Sequence, residues 1–170
     1  AEAAYRWDDL AELLETAAAD TTEPSLRVSL LMALGRLEET HRGQDGKARD
    51  VYREVLGEQP GHPEAIDALV KLFTRTAAWE ALVQLHLELS ADAEDVPGQL
   101  EHLFQACQLL EDVVDDKERA IATYRQVLEV APENRQAFKA LERFFTVDGR
   151  HADMADLLRD RIEVAEADAQ

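Results

Sequence analysis

The residues able to do chemistry are few and scattered. The chain has 170 residues, with five histidines and one cysteine. His41, His62, His86, His102 and His151 form no H-E-x-x-H helix motif and no Cys/His ligand spacing, so no zinc site is expected. His86 and His102 fall opposite each other on one predicted helix pair and read as neighbours on the surface. His62 stands in a Pro-Gly-His-Pro stretch and reads as a turn residue. Cys107 lies on an apolar helical stripe, where a small buried thiol is expected. Carboxylates are abundant, 36 against 18 Lys and Arg, so adjacent pairs arise by number alone. Asp8-Asp9 and Asp115-Asp116 stand where helices are predicted to begin, and negative charge there offsets the helix dipole. The seven glycines are dispersed, which excludes a phosphate-cradling loop, and no G-x-S-x-G occurs. The expectation is therefore no catalytic residue, no metal, no cofactor and no enzymatic activity.

These residues must be carried by helices. Hydrophobic residues make up 46% of the chain and aromatics only 6%, with alanine and leucine dominating. Unbranched side chains of that kind lose little rotamer freedom in a helix. A shift of 72 residues, without a gap, brings 19 identical pairs into register between residues 7–78 and 79–150, against roughly 5 or 6 by chance at ordinary composition. They include Trp7/Trp79, Glu39/Glu111, Tyr52/Tyr124, Arg53/Arg125, Pro60/Pro132 and Phe73/Phe145. Apolar spacing within each copy is helical, as at Leu10, Leu13, Leu14 and Ala17. Loop signals between the periodic runs predict nine helices, near 7–19, 26–41, 47–58, 63–76, 79–91, 98–113, 117–130, 134–147 and 151–165. Short connections make neighbours antiparallel. A repeated helix pair cannot bury its apolar face alone, whereas stacked pairs bury a continuous one.

The net charge of −18 repels phosphate backbones and acidic lipid, so neither nucleic acid nor membrane is an expected partner. No apolar run approaches the length of a bilayer span, and the N-terminal AEAAYRW carries no signal peptide. A cytoplasmic location is expected, unless the chain is part of a larger exported protein. The bias to arginine and alanine fits a bacterial coding sequence.

The stretches Ala120, Tyr124, Val127, Pro132 and Ala48, Tyr52, Val55, Pro60, with Leu34-Gly35 on the preceding helix, resemble the tetratricopeptide (TPR) repeat family. The resemblance covers essentially the whole chain, as alternating unequal repeats with one residue inserted before Ala48 and Ala120. It implies an all-α, right-handed superhelical solenoid of antiparallel helix pairs. The chain is expected to be a single TPR-like domain over 1–170, with internal units at about 7–78 and 79–150 and a partial one at 151–170. In that frame helix 7–19 is a second helix without its first, so the piece is expected to come from a longer array. Ala48-Arg49-x-Val51-Tyr52 also resembles the related half-a-TPR motif of RNA-processing scaffolds, but Ala120-Ile121 lacks the arginine.

The resemblance further implies that the first helix of each pair lines a concave groove for an extended peptide or a partner helix. Carried over by spacing, the groove residues are Met32, Arg36, Asp67, Lys71, Arg75, Phe104, Gln108, Lys139 and Arg143. One groove position reads Arg36, Lys71, Gln108, Arg143, a row of donors in an acidic chain. That row implies an acidic or carboxylate-bearing protein partner held by charge-assisted hydrogen bonds. The competing expectation is a structural module that stacks or dimerises through its open terminal helices.

Overall fold

A computed structural model describes residues 2–168 of the chain, with side chains described over residues 6–166. The described residues are all-α. Their helices are α1 (Glu2–Asp20), α2 (Pro24–Thr40), α3 (Asp45–Glu58), α4 (Pro63–Arg75), α5 (Trp79–Asp92), α6 (Val96–Leu109), α7 (Lys117–Val130), α8 (Arg135–Val147) and α9 (His151–Asp168). A π turn at Leu110–Val114 continues α6. The chain divides into two compact units between Ala78 and Trp79, the point at which the 72-residue copy restarts.

Punctuation residues set these boundaries. Proline stands in the first turn of α2, α4 and α6, where its missing N–H costs nothing. His62 caps α4: its Nδ1 accepts from the Ala65 N–H at 3.3 Å. Asn134, 72 residues on, does the same for α8, accepting from Ala137 at 3.0 Å. Asp116 caps α7 by accepting from Arg119 at 3.1 Å. The extra residue before Ala48 of α3 and before Ala120 of α7 is absorbed in equivalent turns. Gln44 N–H donates to the Glu38 carbonyl at 2.8 Å, and Asp116 N–H to the Leu110 carbonyl at 2.9 Å. In the second copy the insertion also widens the preceding helix into the π turn.

Within the first unit each helix packs on the next. Trp7 of α1 stacks on His41 at 4.1 Å, and Ala11 packs with Leu34 and Leu37 of α2. Arg27, near the start of α2, reaches Glu54 and Glu58 near the end of α3 at 2.7 and 3.2 Å, which is the antiparallel arrangement. Gly35 lets α3 approach closely, because a Cβ there would meet the Tyr52 ring at 2.5 Å. Helices α2 and α4 lie side by side in one layer, joined by the Arg36–Glu64 pair and by Arg75 to Glu39.

The second unit repeats this plan with one helix more. Helices α6 and α8 share a layer through Glu111 and Arg143. Helices α5, α7 and α9 share the other, through Glu80–Arg119 at 2.7 Å and Arg125–Asp153 at 2.6 Å. Between the layers a core runs through Leu103, Cys107, Tyr124, Val127, Phe138, Leu141, Phe145 and Leu157. Each unit is thus built of antiparallel helical hairpins that bury their apolar stripes against one another. Apolar side chains remain exposed on α1 (Leu10, Leu13) and on α9 (Leu158, Ile162).

Two expectations are corrected. Asp8-Asp9 do not start a helix, because α1 already runs from Glu2. Residues Glu2 to Arg6 contain no breaker, so helix propensity extends α1 beyond its apolar period. Asp8 instead pairs with Arg42 at 2.9 Å. His86 and His102 are not a surface pair: their Nδ1 atoms are 3.3 Å apart between α5 and α6, and His86 is 8% exposed.

Candidate functional site

A buried tyrosine and a carboxylate form the floor of a cleft in the first unit. Tyr52 of α3 donates its hydroxyl to Glu39 of α2 at 3.1 Å. Glu39 is held from the other side by Arg75, which also reaches Asp45 at 2.9 Å. Around this floor Met32 and Arg36 of α2 and Glu64, Asp67, Ala68 and Lys71 of α4 enclose about 270 Å³. Burial and the Glu39 carboxylate push the Tyr52 hydroxyl well above its ordinary range, so it is a fixed donor at any working pH.

The second unit builds the same cleft from residues 72 positions later. Tyr124 donates to Glu111 at 2.6 Å, and Arg143 clamps the same carboxylate. Phe104, Gln105, Gln108, Asp112 and Gln136 complete a cleft of about 340 Å³. Here too burial and Glu111 raise the tyrosine. The copies differ in their cations. On α4 Glu64, Asp67 and Lys71 border the cleft; the positions 72 residues later on α8 are Gln136, Lys139 and Arg143. One net negative charge becomes two positive ones, in a chain of net charge −18.

The groove residues expected from the sequence divide between these places. Met32, Arg36, Asp67 and Lys71 all border the first cleft, although Met32 is buried and belongs to its floor. Phe104 and Gln108 border the second. Arg75 and Arg143 tie down the carboxylates of the two floors, and Arg143 also lies over the Phe144 ring at 4.8 Å. Lys139 is exposed on α8. The donor row is charge-matched within the protein: Arg36 pairs with Glu64, Lys71 with Asp67 at 2.5 Å, and Arg143 with Glu111. The Arg36–Glu64 and Lys71–Asp67 pairs are exposed on both sides, so they hold weakly and can exchange for a ligand's carboxylate.

The Tyr–Glu floor escaped the residue-by-residue reading. Its signal was present, because Tyr52, Tyr124, Glu39 and Glu111 are all identities of the duplication with the same 13-residue spacing. A buried ion pair was missed as well. Glu38, only 3% exposed, is held by Arg42 at 2.5 Å, and Arg42 in turn by Asp8. Its counterpart is the apolar Leu110. Burial, reinforced by His102, lowers His86 to a pKa of about 4, and burial pushes the Cys107 thiol up to about 12. An inert thiol follows. No group of three or more His, Cys, Asp or Glu among the described residues is placed to hold a metal ion. No described helix is long and apolar enough to cross a membrane.

No family model matches the chain. Cellulose synthase operon protein C of Pseudomonas fluorescens (strain SBW25) is 29% identical over 116 residues, covering 64% of this chain. The matched region is 9% of that protein, so the chain spans less than a tenth of the curated relative's length. Among solved structures, the crystal structure of MamA aligns over 96% of this chain and 91% of its own, at 15% identity and a TM-score of 0.45. MamA MSR-1 C2 aligns over 97% and 90%, at 16% identity and a TM-score of 0.43.

Proposed function

We propose that this array of TPR-like hairpins is a protein-interaction scaffold, which holds an extended peptide or a partner helix against the layer formed by the first helix of each hairpin. One observation carries it: the same cleft is built twice, from α2, α3 and α4 and again from α6, α7 and α8, with its Tyr–Glu floor retained and an arginine on that glutamate supplied from non-equivalent positions of α4 and α8. Shallow, open clefts of this kind take side chains from a polypeptide. Turnover of a small substrate calls instead for an enclosing pocket with convergent reactive groups.

The second cleft suits a partner bearing carboxylates. Gln108 and Gln136 border it as exposed donors and Lys139 is exposed on the same helix as Gln136, where the first copy has the acids Glu64 and Asp67. Hydrogen bonds to a charged group contribute about 1.5–3 kcal/mol each. Reversing Gln108 and Lys139 to glutamate should therefore weaken partner binding by about tenfold or more. Both side chains are exposed, so the helical melt should be unchanged. The partner would be captured from a cell extract by cross-linking to the wild-type chain, then purified and titrated calorimetrically against both forms. An unaltered Kd would rule out the cleft as the binding face.

A further inference from the structure

The second unit carries another concavity, on the opposite helix layer from the clefts. Helices α7 and α9 run parallel and are tied together at the start of α9, where Arg150 and Asp153 meet Glu118 and Arg125 of α7 at 2.8 and 2.6 Å. Beyond that anchor α9 leans on α8 rather than α7, and a cavity of about 710 Å³ opens between them. Leu128, Pro132, Phe138, Leu157 and Val164 supply its apolar surfaces. At its rim stand Glu129, Asp160 and Glu163, all exposed, and no cation among the described residues pairs with any of them.

One residue of the chain indicates what the floor accepts. Arg161 lays its guanidinium over the Phe138 ring, 4.0 Å from the centroid, the arrangement in which an aromatic face attracts a cation. The cavity thus combines an apolar floor, an aromatic already engaged by an arginine, and carboxylates without counter-ions. Its volume is that of a site for a few side chains.

We infer that this groove docks a short basic and apolar segment of a partner protein, whose aliphatic side chains fill the floor while its lysines or arginines meet Glu129, Asp160 and Glu163. Charge complementarity selects that occupant: an acidic or neutral segment would leave the rim carboxylates facing like charge or nothing. The inference is independent of the clefts, since no residue lining the groove also lines the second cleft.

The test is fluorescence anisotropy of a labelled peptide of alternating leucine and arginine, titrated with the whole chain at physiological salt. The overall acidity of the chain attracts any basic peptide, so two charge reversals of equal size are compared. Glu129→Lys with Asp160→Lys should weaken binding at least tenfold. Glu12→Lys with Glu15→Lys, on exposed positions of α1, should change it less than about twofold. Val164→Asp adds negative charge yet removes floor surface, and it should weaken binding. Equal losses in the two reversal variants, tighter binding by Val164→Asp, or no saturable binding at all would each overturn the inference.

Discussion

His86 occupies a position on α5 where the first copy has Leu14, in the apolar series Leu82, Leu85, His86, Leu89. Burial disfavours its charged form, and the neighbouring His102 adds to this, giving a pKa of about 4. An unfolded histidine takes up its proton near pH 6.5. Between those values the unfolded chain binds more protons than the folded one, so stability falls as pH falls from about 6.5 to 4. The slope owed to this group approaches about 1.4 kcal/mol per pH unit. Denaturant melts of His86→Leu against wild type should show that slope removed across the window; parallel curves would refute the burial account. The apolar period was legible in the sequence here. Depth was not, because it depends on how α6 covers α5. Gly35 is a second case. Its Leu-Gly motif was readable, but not the Tyr52 ring that lies where a side chain would go. The second copy has Cys107 at this position, and Tyr124 is correspondingly more exposed, 7% against 1% for Tyr52. Gly35→Ala gains about 1 kcal/mol of helix propensity against about 1–3 kcal/mol of overpacking. A net loss near 1 kcal/mol is expected by urea denaturation, and a gain would mean that the ring moves freely.

At the scale of the helices, the duplication extends to the turns. Helix α4 ends with the Ala78 N–H on the Phe73 carbonyl at 2.8 Å, and α8 with the Arg150 N–H on the Phe145 carbonyl at 2.9 Å. Both turns need a left-handed residue. The second copy places Gly149 there at φ +64°, whereas the first has Ala77 at +53°. A left-handed alanine costs roughly 1–2 kcal/mol, part of which glycine returns as unfolded-state entropy. Ala77→Gly should therefore stabilise by about 0.5–1 kcal/mol, raising the thermal midpoint by a few degrees. A lowered midpoint would show that Ala77 makes contacts worth more than its strain. Most helix ends were legible, because proline, asparagine and paired glycines mark them. The start of α1 was not, since the apolar period begins at Trp7 while Ala and Glu carry the helix back to Glu2. The π turn was also hidden: the inserted residue was visible in the register, but its accommodation inside α6 depends on local packing.

For the molecule as a whole, the duplication yields two compact units that meet at Ala78 and Trp79. The second carries the donor-rich cleft. A net charge of −18 opposes contact between copies of the chain and favours a partner that brings cations or exchanges ion pairs locally. The cleft face was legible only in outline, because spacing names the residues on one side of a helix but not the acids that already engage them. Hydrogen exchange on the chain with and without its captured partner tests the scaffold account most directly. The account predicts slowed exchange in α6 and α8 around Phe104–Glu111 and Gln136–Arg143, with α9 unchanged by that partner. Slowing confined to α7 and α9, or none in either layer, would contradict it.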